Sequence, residues 1–304
     1  MGVNAQLTVA VIGCGTLGTA IAAGILDPRS KTDGISVKRL IATVGTEPSK
    51  RRVEDDLSQH SSQITVLLQQ DNVRAVQEAD VVLLAVKPVK RAGIFSAPGF
   101  REALRGKLVL SIMAGISTTE LNRLALGDQS SSSSSSSKLP DDNNNQKPLQ
   151  AIRAMPNMAA KIRSAVTLYT ASEGTTAENV AVASWVFGQV GEAQEIPESS
   201  FDICAVLVGC AGSLLLLAVD GLLDAAVAEG VKRSEVQNLV VNSAIGMMRL
   251  VPAGDHPGVL REKIASPGGC SIRALLELEK QGVRSSFTSA ILAAAERSKQ
   301  MSSS

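Results

Sequence analysis

One hydroxyl and several free backbone amides come together in Ser266-Pro267-Gly268-Gly269-Cys270-Ser271, which runs into Ile272-Arg273-Ala274-Leu275-Leu276-Glu277-Leu278-Glu279. The Pro-Gly-Gly stretch predicts a tight turn, and the apolar spacing after it predicts an amphipathic helix. The first N–H groups of a helix lack partners within it and carry partial positive charge. Gly268, Gly269, Cys270 and Ser271 are therefore candidates for holding a small carboxylate, with the Ser271 hydroxyl beside it. The plainer alternative is a glycine turn in which Cys270 or Ser271 is an ordinary helix cap.

Near the start of the chain, the apolar run Leu7 to Ile12 enters Gly13-Cys14-Gly15-Thr16-Leu17-Gly18, and a helical pattern follows from Thr19 to Leu26. A G-x-G-x-x-G loop between a strand and a helix is the setting for a dinucleotide pyrophosphate. Gly13 makes the turn, Gly15 lets the backbone approach the phosphates, and Gly18 lets the helix pack on its strand. Folds of this kind that prefer NADH place an acid at the tip of the second strand, about 20 residues on. Here Lys38 to Val44 reads as that strand, and no acid occupies its tip. Lys50, Arg51 and Arg52 lie just beyond, and guanidinium groups of Arg51 and Arg52 can grip a 2′-phosphate, which favours NADPH. Glu47 keeps NADH open, and Lys50 to Arg52 could instead be a solvated helix face paired with Glu54, Asp55 and Asp56.

Composition narrows the class. The 304 residues suffice for two domains with a sizeable core, and 30 basic against 29 acidic residues leave no global field for nucleic acid. Aromatic residues, at 2 %, also leave few platforms for stacking bases. Cys14, Cys204, Cys210 and Cys270 are dispersed, with only His60 and His256 to join them, so neither a metal site nor a disulfide framework is expected. The thiols read as small apolar residues in a reducing, cytoplasmic setting. With a strand starting near Leu7 no cleaved leader is expected. The uncharged run Ile203 to Val219 is short of a membrane span and interrupted by Gly209, Gly212 and Ser213, so a buried helix of a soluble oligomer is expected.

These groups need a scaffold. Strand patterns at Val37 to Val44, Ala79 to Val86, Lys107 to Ser111 and Ala151 to Ala154 alternate with helical ones, as an α/β doubly wound sheet requires. From Thr175 onward only helices are expected, chiefly Asp202 to Glu229, Arg233 to Leu250 and Cys270 to Ser298. The expected organisation is a Rossmann-like dinucleotide-binding domain over 1–196 and an all-α dimerisation and substrate domain over 197–304. Residues 128–147, with eight successive serines followed by Asp, Asn and Gln, are expected to form a disordered surface loop. Ala85-Val86-Lys87-Pro88, Met113-Ala114-Gly115 and Arg153-Ala154-Met155-Pro156-Asn157 stand at strand ends, where such a sheet meets its cofactor.

Taken with the glycine loop, Asn72, His256-Pro257-Gly258 and the Ser266 to Gly269 turn, these segments resemble the pyrroline-5-carboxylate reductase family over essentially the whole chain except the serine-rich stretch. The resemblance implies NADP(H) contacts at Ile12, Gly13, Cys14, Gly15, Thr16, Leu17, Asn72, Ala85, Val86, Lys87, Pro88, Met113, Ala114 and Gly115. It also implies substrate contacts at Cys270 and Ser271, and an intertwined homodimer or larger assembly whose active site lies between subunits. The implied reaction is hydride transfer to C5 of a cyclic imine, giving L-proline, with Ser271 hydrogen-bonding the ring nitrogen and His256 structural. The chain departs from the family at Cys270-Ser271, where two threonines or an alanine and a threonine are usual, at Met158-Ala159, and at Gly209 to Ser213, where a proline is gone. Two alternatives stay open: a catalytically weakened paralogue serving as an NADP(H) sensor, and a hydroxyacid-dehydrogenase-like reductase. The latter would need a helical-domain lysine, and Lys232 alone stands between Lys161 and Lys263.

Overall fold

The structure is a computed structural model that describes residues 5–29, 34–127 and 149–302. The expected serine-rich loop at 128–147 lies outside the described residues. The chain forms two compact units, one comprising Met1–Ala205 with Ser298–Ser304 and the other Val206–Arg297.

In the first unit β1 (Ala5–Ile12), α1 (Thr16–Leu26), β2 (Ile35–Val44), α2 (Glu47–Asp56), β3 (Ile64–Leu68), α3 (Asn72–Glu78) and β4 (Val81–Leu84) follow in turn. The short α4 (Arg91–Phe95) and α5 (Phe100–Leu104) precede β5 (Leu108–Ser111) and α6 (Thr118–Leu126). β6 (Gln150–Pro156), β7 (Ala165–Ala171), α7 (Ala177–Gly188) and β8 (Gly191–Glu195) complete the sheet, in the order β3-β2-β1-β4-β5-β6-β7-β8. Every pair is parallel except β6 with β7. Strand order reverses at β1, whose Ile12 pairs with Thr43 on one side and Leu84 on the other, so a crevice opens there at the strands' carboxyl ends.

The continuous apolar strands follow from burial on both faces. Val9, Val11, Leu40, Leu83 and Leu110 pack with Ile21, Ile25, Trp185 and Phe187 on one side of the sheet. Ala10, Ile12, Ile41, Val82 and Val109 pack with Val76, Phe95, Phe100 and Leu104 on the other. Each such side chain contributes about 1.5–3 kcal/mol over its exposed state, which makes the strand-end loops a firm base for a site.

Three strands depart from the sequence reading. β3 was not expected, because the short run Ile-Thr-Val-Leu-Leu gives no clear period; it is an edge strand whose Ile64 to Leu68 pair with Leu40 to Val44. β7 was not expected either, and β8 corrects the expectation of helices only after Thr175. Its sequence Gly-Glu-Ala-Gln-Glu has poor strand propensity and is mostly exposed, so its pairing with β7, not local preference, makes it a strand.

β6 carries a buried charge that the alternation of the strand does not explain. The Arg153 side chain, 5 % exposed, holds Glu198 Oε1 and Asp202 Oδ1, each at 2.7 Å. Its guanidinium also lies 4.0 Å from the centre of the Phe201 ring. Both carboxylates stand near the start of α8 (Glu198–Ala228), so the first residues of that helix are fastened to the sheet; the division between the units falls farther along it.

The second unit contains the rest of α8, α9 (Arg233–Met248), α10 (Pro257–Ile264), α11 (Cys270–Lys280) and most of α12 (Val283–Ser302). The single helix expected over 270–298 is two helices, because Gly282 takes φ +66°, a left-handed conformation that ends a helix. Arg233 ties α9 to Asp220, at 2.6 Å, and to Asp224 of α8. Few side chains are buried in this unit: among its apolar residues Val206, Leu223 and Leu260 are, whereas Leu216, Leu217, Leu239 and Leu276 are each more than 60 % exposed. The run 203–219 is thus largely uncovered in the single chain, and by length and composition α8 is long and apolar enough to cross a membrane.

Candidate active site

At the crevice the chain turns sharply after Ile12. Gly13 takes φ +83°, and the amides of Gly13 and Cys14 donate to Thr43 O at 3.1 and 2.7 Å. A Cβ on Gly13 would lie 2.3 Å from Val86 Cγ1, so conformation and packing both demand glycine. Gly15 differs. Its backbone is extended, and a Cβ there would meet nothing nearer than Gly13 O at 3.9 Å, so the space above it is open. A Cβ on Gly18 would lie 3.3 Å from Val11 Cγ1 and 3.4 Å from Ala85 Cβ, the closeness with which α1 packs on β1 and the end of β4. Thr16 opens α1 with its amide end toward the crevice, and Leu17 is half-buried. Ile12 and Cys14 are buried.

The Cys14 thiol is pushed up to about 11, first by burial, against a smaller opposing effect of its contact with the Thr19 hydroxyl at 3.6 Å. It is a neutral apolar filler at ordinary pH and no nucleophile. Cys270, by contrast, is exposed, which corrects its reading as an apolar filler.

Beside the glycine loop lies a cavity of about 500 Å³, lined by the tip of β2 (Thr43 to Gly45), by Gln69, Gln70, Asn72 and Val73, and by Val86, Val89, Lys90 and Ile94 among others. Three features suit the adenosine half of a dinucleotide. A Cβ on Gly45 would lie 3.7 Å from Gln69 Oε1 and 3.9 Å from Lys90 Nζ, so the missing side chain leaves a recess between them. Asn72 Oδ1 is buried without a hydrogen-bond partner among the described residues, a cost that a bound donor would remove. Finally, α2 begins right after β2, with Thr46 as its cap accepting from the Ser49 amide and its hydroxyl 3.0 Å from that of Ser49. Gly45, Gln69 and Lys90 were not singled out from sequence. Recognising β3 would have marked Gln69 as a strand-end residue.

Arg51 and Arg52 stand on α2 and are exposed. Arg52 donates to Cys14 O at 3.4 Å, reaching over the glycine loop, and Arg51 has no partner among the described residues. None of Lys50, Arg51 and Arg52 pairs with Glu54, Asp55 or Asp56, so the acids of the helix do not neutralise them. Glu47 is the first residue of α2, past the strand tip.

The other strand-end segments lie close by. Ala85 donates to Ile12 O at 2.8 Å, Val86 turns toward the cavity, Lys87 is exposed, and Pro88 starts a single 3₁₀ turn. β4 ends at Leu84, shorter than expected, because the Ala85 to Pro88 segment leaves the sheet. After β5, Met113 is 3 % exposed and donates to Ser111 Oγ at 3.3 Å, which leaves Ala114 exposed and Gly115 half-buried at the edge of the sheet.

In the second unit, the turn before α11 is built differently from expectation in one respect. The Gly269 amide is not free: it donates to Ser266 O at 3.0 Å, closing the turn, so the amides left for an anion are those of Gly268 and of Cys270 and Ser271. Gly269 is the cap residue and no side chain caps the helix. Ser271, half-buried, makes no hydrogen bond through its hydroxyl among the described residues, so the helix-cap alternative has no support. His256 caps α10, its Nδ1 accepting from the Gly258 amide at 3.1 Å, and is structural as expected. Lys232 precedes α9 and lies 3.8 Å from Glu235.

Comparison with known proteins bears on the whole chain. Residues 198–301 match the model described as pyrroline-5-carboxylate reductase dimerisation, and residues 8–115 match that described as NADP oxidoreductase, coenzyme F420-dependent. A pyrroline-5-carboxylate reductase of Lophium arboricola is 33 % identical over 95 % of this chain and 91 % of its own. One of Neurospora crassa is also 33 % identical, over the same shares. In fold, the chain resembles the crystal structure of Plasmodium falciparum pyrroline carboxylate reductase with NADP bound, at a TM-score of 0.78 and 22 % identity, over 97 % of this chain and 98 % of that one.

Proposed function

The chain belongs to the pyrroline-5-carboxylate reductase family, and from that premise we propose that it reduces 1-pyrroline-5-carboxylate to L-proline with NADPH as the preferred reductant. It is a homo-oligomer through its dimerisation domain. The single observation that best supports the cofactor assignment is the cavity at the reversal point of the sheet, with an orphaned Asn72 Oδ1 and no acid at the tip of β2.

NADPH, when bound, supplies a hydride to C5 of the substrate's C=N bond, whose electron pair collects on a protonated ring nitrogen. The protein's part is to align the two rings and keep them from water. Gly13, Gly15 and the start of α1 bind the pyrophosphate, with Ile12, Cys14, Thr16, Leu17 and Gly18 shaping that loop. Asn72 and Val86 hold the adenosine half, Arg51 stands toward its 2′-phosphate, and Arg52 reaches over the glycine loop. Ala85, Lys87, Pro88 and the Met113 to Gly115 bend border the nicotinamide half. The Gly268, Cys270 and Ser271 amides hold the substrate carboxylate, and the Ser271 hydroxyl, which has no other partner among the described residues, relays a proton to the ring nitrogen before the hydride arrives. No strong base is needed, because the imine nitrogen is protonated before hydride arrives.

The helical domain, taken as 197–304 after a dinucleotide-binding domain of 1–196, covers its bare leucines with a second copy, in a homodimer or a larger assembly, and not with lipid. The protein acts in the cytoplasm on a small molecule, with no nucleic acid as partner. The test is direct: purified protein mixed with NADPH and pyrroline-5-carboxylate should consume reduced nicotinamide and form proline. A folded sample that binds NADPH but forms no proline overturns the assignment.

A further inference from the structure

Lys90 is the only charged side chain lining the cavity beside the glycine loop, among the described residues. It belongs to the 3₁₀ turn Pro88–Lys90 after β4 and lines the cavity together with the tip of β2. Its Nζ would stand 3.9 Å from a Cβ on Gly45, yet the ammonium has neither a hydrogen bond nor an ion pair among the described residues. Among the described residues no Asp or Glu lines the cavity to neutralise it. An ammonium held beside the tip of β2 faces the place where this fold meets the ribose 2′ position. There the amide end of α2 and the Thr46 and Ser49 hydroxyls already favour an anion.

Arg52 is drawn the other way, to Cys14 O at 3.4 Å over the glycine loop, so its charge lies nearer the pyrophosphate than the ribose. We propose that Lys90 is a specificity-determining residue of the cofactor site, gripping the 2′-phosphate of NADPH beside Gly45 at the tip of β2, next to the start of α2. The assignment rests on the NADPH reading above. It divides the selectivity that sequence reasoning gave to Arg51 and Arg52 alone between two elements. Because Lys90 is exposed and ends a short turn, its side chain contributes little to folding.

The experiment is calorimetric binding of NADPH, NADH, 2′,5′-ADP and 5′-AMP to the wild type and to Lys90→Gln, Lys90→Arg and Gly45→Asp. Lys90→Gln should weaken NADPH and 2′,5′-ADP by about 10- to 100-fold, the range for one charge-assisted hydrogen bond, and leave NADH and 5′-AMP unchanged. Lys90→Arg should keep most of the preference. Gly45→Asp has room, its Cβ making only ordinary contacts at 3.7 and 3.9 Å, and its carboxylate would pair with Lys90 and repel the phosphate. That variant should reverse the preference toward NADH. Equal losses for both cofactors in Lys90→Gln, or no loss, overturn the role of Lys90, and so does a Gly45→Asp protein that still prefers NADPH. These binding results stand apart from the reductase assignment, which falls only if pyrroline-5-carboxylate is not reduced with either nicotinamide.

Discussion

Replacing Gly13 and Gly15 separately by alanine should split stability from cofactor binding, although both belong to one loop. At Gly13 the φ of +83° costs an L-residue roughly 1–2 kcal/mol. The new Cβ, 2.3 Å from Val86 Cγ1 and 3.2 Å from the Val86 backbone, adds the roughly 1–3 kcal/mol typical of overpacking, because backbone atoms cannot swing aside. Gly13→Ala should therefore lose about 2–5 kcal/mol, or a melting temperature lower by about 5–15 °C for a domain of this size. At Gly15 the backbone is extended and the nearest atom to a Cβ is 3.9 Å away, so Gly15→Ala should change stability by about 1 kcal/mol or less. Its methyl would occupy the open space over the first turn of α1, where the pyrophosphate must approach, and NADPH should bind at least about tenfold more weakly. Thermal melts without ligand and calorimetric titration of NADPH measure the two effects independently. A Gly15→Ala protein that binds NADPH normally would refute the placement of the pyrophosphate. A Gly13→Ala protein as stable as the wild type would refute the packing argument.

Other variants probe other parts of the molecule. Ser271→Ala should lower turnover by roughly 10- to 1000-fold, about 1.4–4 kcal/mol of barrier, with NADPH affinity kept, whereas Ser271→Thr should retain most activity; normal turnover in the alanine variant removes the hydroxyl from the mechanism. Glu198→Gln with Asp202→Asn strands the buried Arg153 charge and should cost about 3 kcal/mol in urea titration, more than Arg153→Met, since the two carboxylates are 39 % and 45 % exposed and can turn to water. The reverse ranking would show that the cluster's worth lies in Arg153 packing. Cys14 titrates near 11 when folded against 9.0 as the ordinary value, so the folded state holds its proton more tightly. That stability is whole below pH 9.0 and is lost as pH rises through about 11, amounting to about 2–3 kcal/mol. Wild type should accordingly lose that much more than Cys14→Ala between those limits, and parallel losses would count against the buried thiol.

Much of the dinucleotide half was legible in the chain itself. A local rule decides each of its features: strand, glycine turn and helix occupy consecutive residues, so spacing alone places Gly13, Gly15 and Gly18, and the tip of β2 shows its missing acid directly. The helical character of the last third and the turn at Ser266 to Gly269 were legible for the same reason. What sequence could not supply was set by partners distant in the chain. β8 is a strand because β7 lies beside it, and β3 because β2 does. The Gly269 amide is consumed by a carbonyl three residues back, a matter of how the turn closes and not of residue type. Arg153 reads as one more strand residue until folding brings Glu198 and Asp202 to it. Lys90 reads as a surface lysine until β2 and β4 flank β1 and set its ammonium beside Gly45. Local propensity and spacing act over a few residues, whereas burial and charge pairing act between any two surfaces the fold joins, and only the tertiary structure decides which those are.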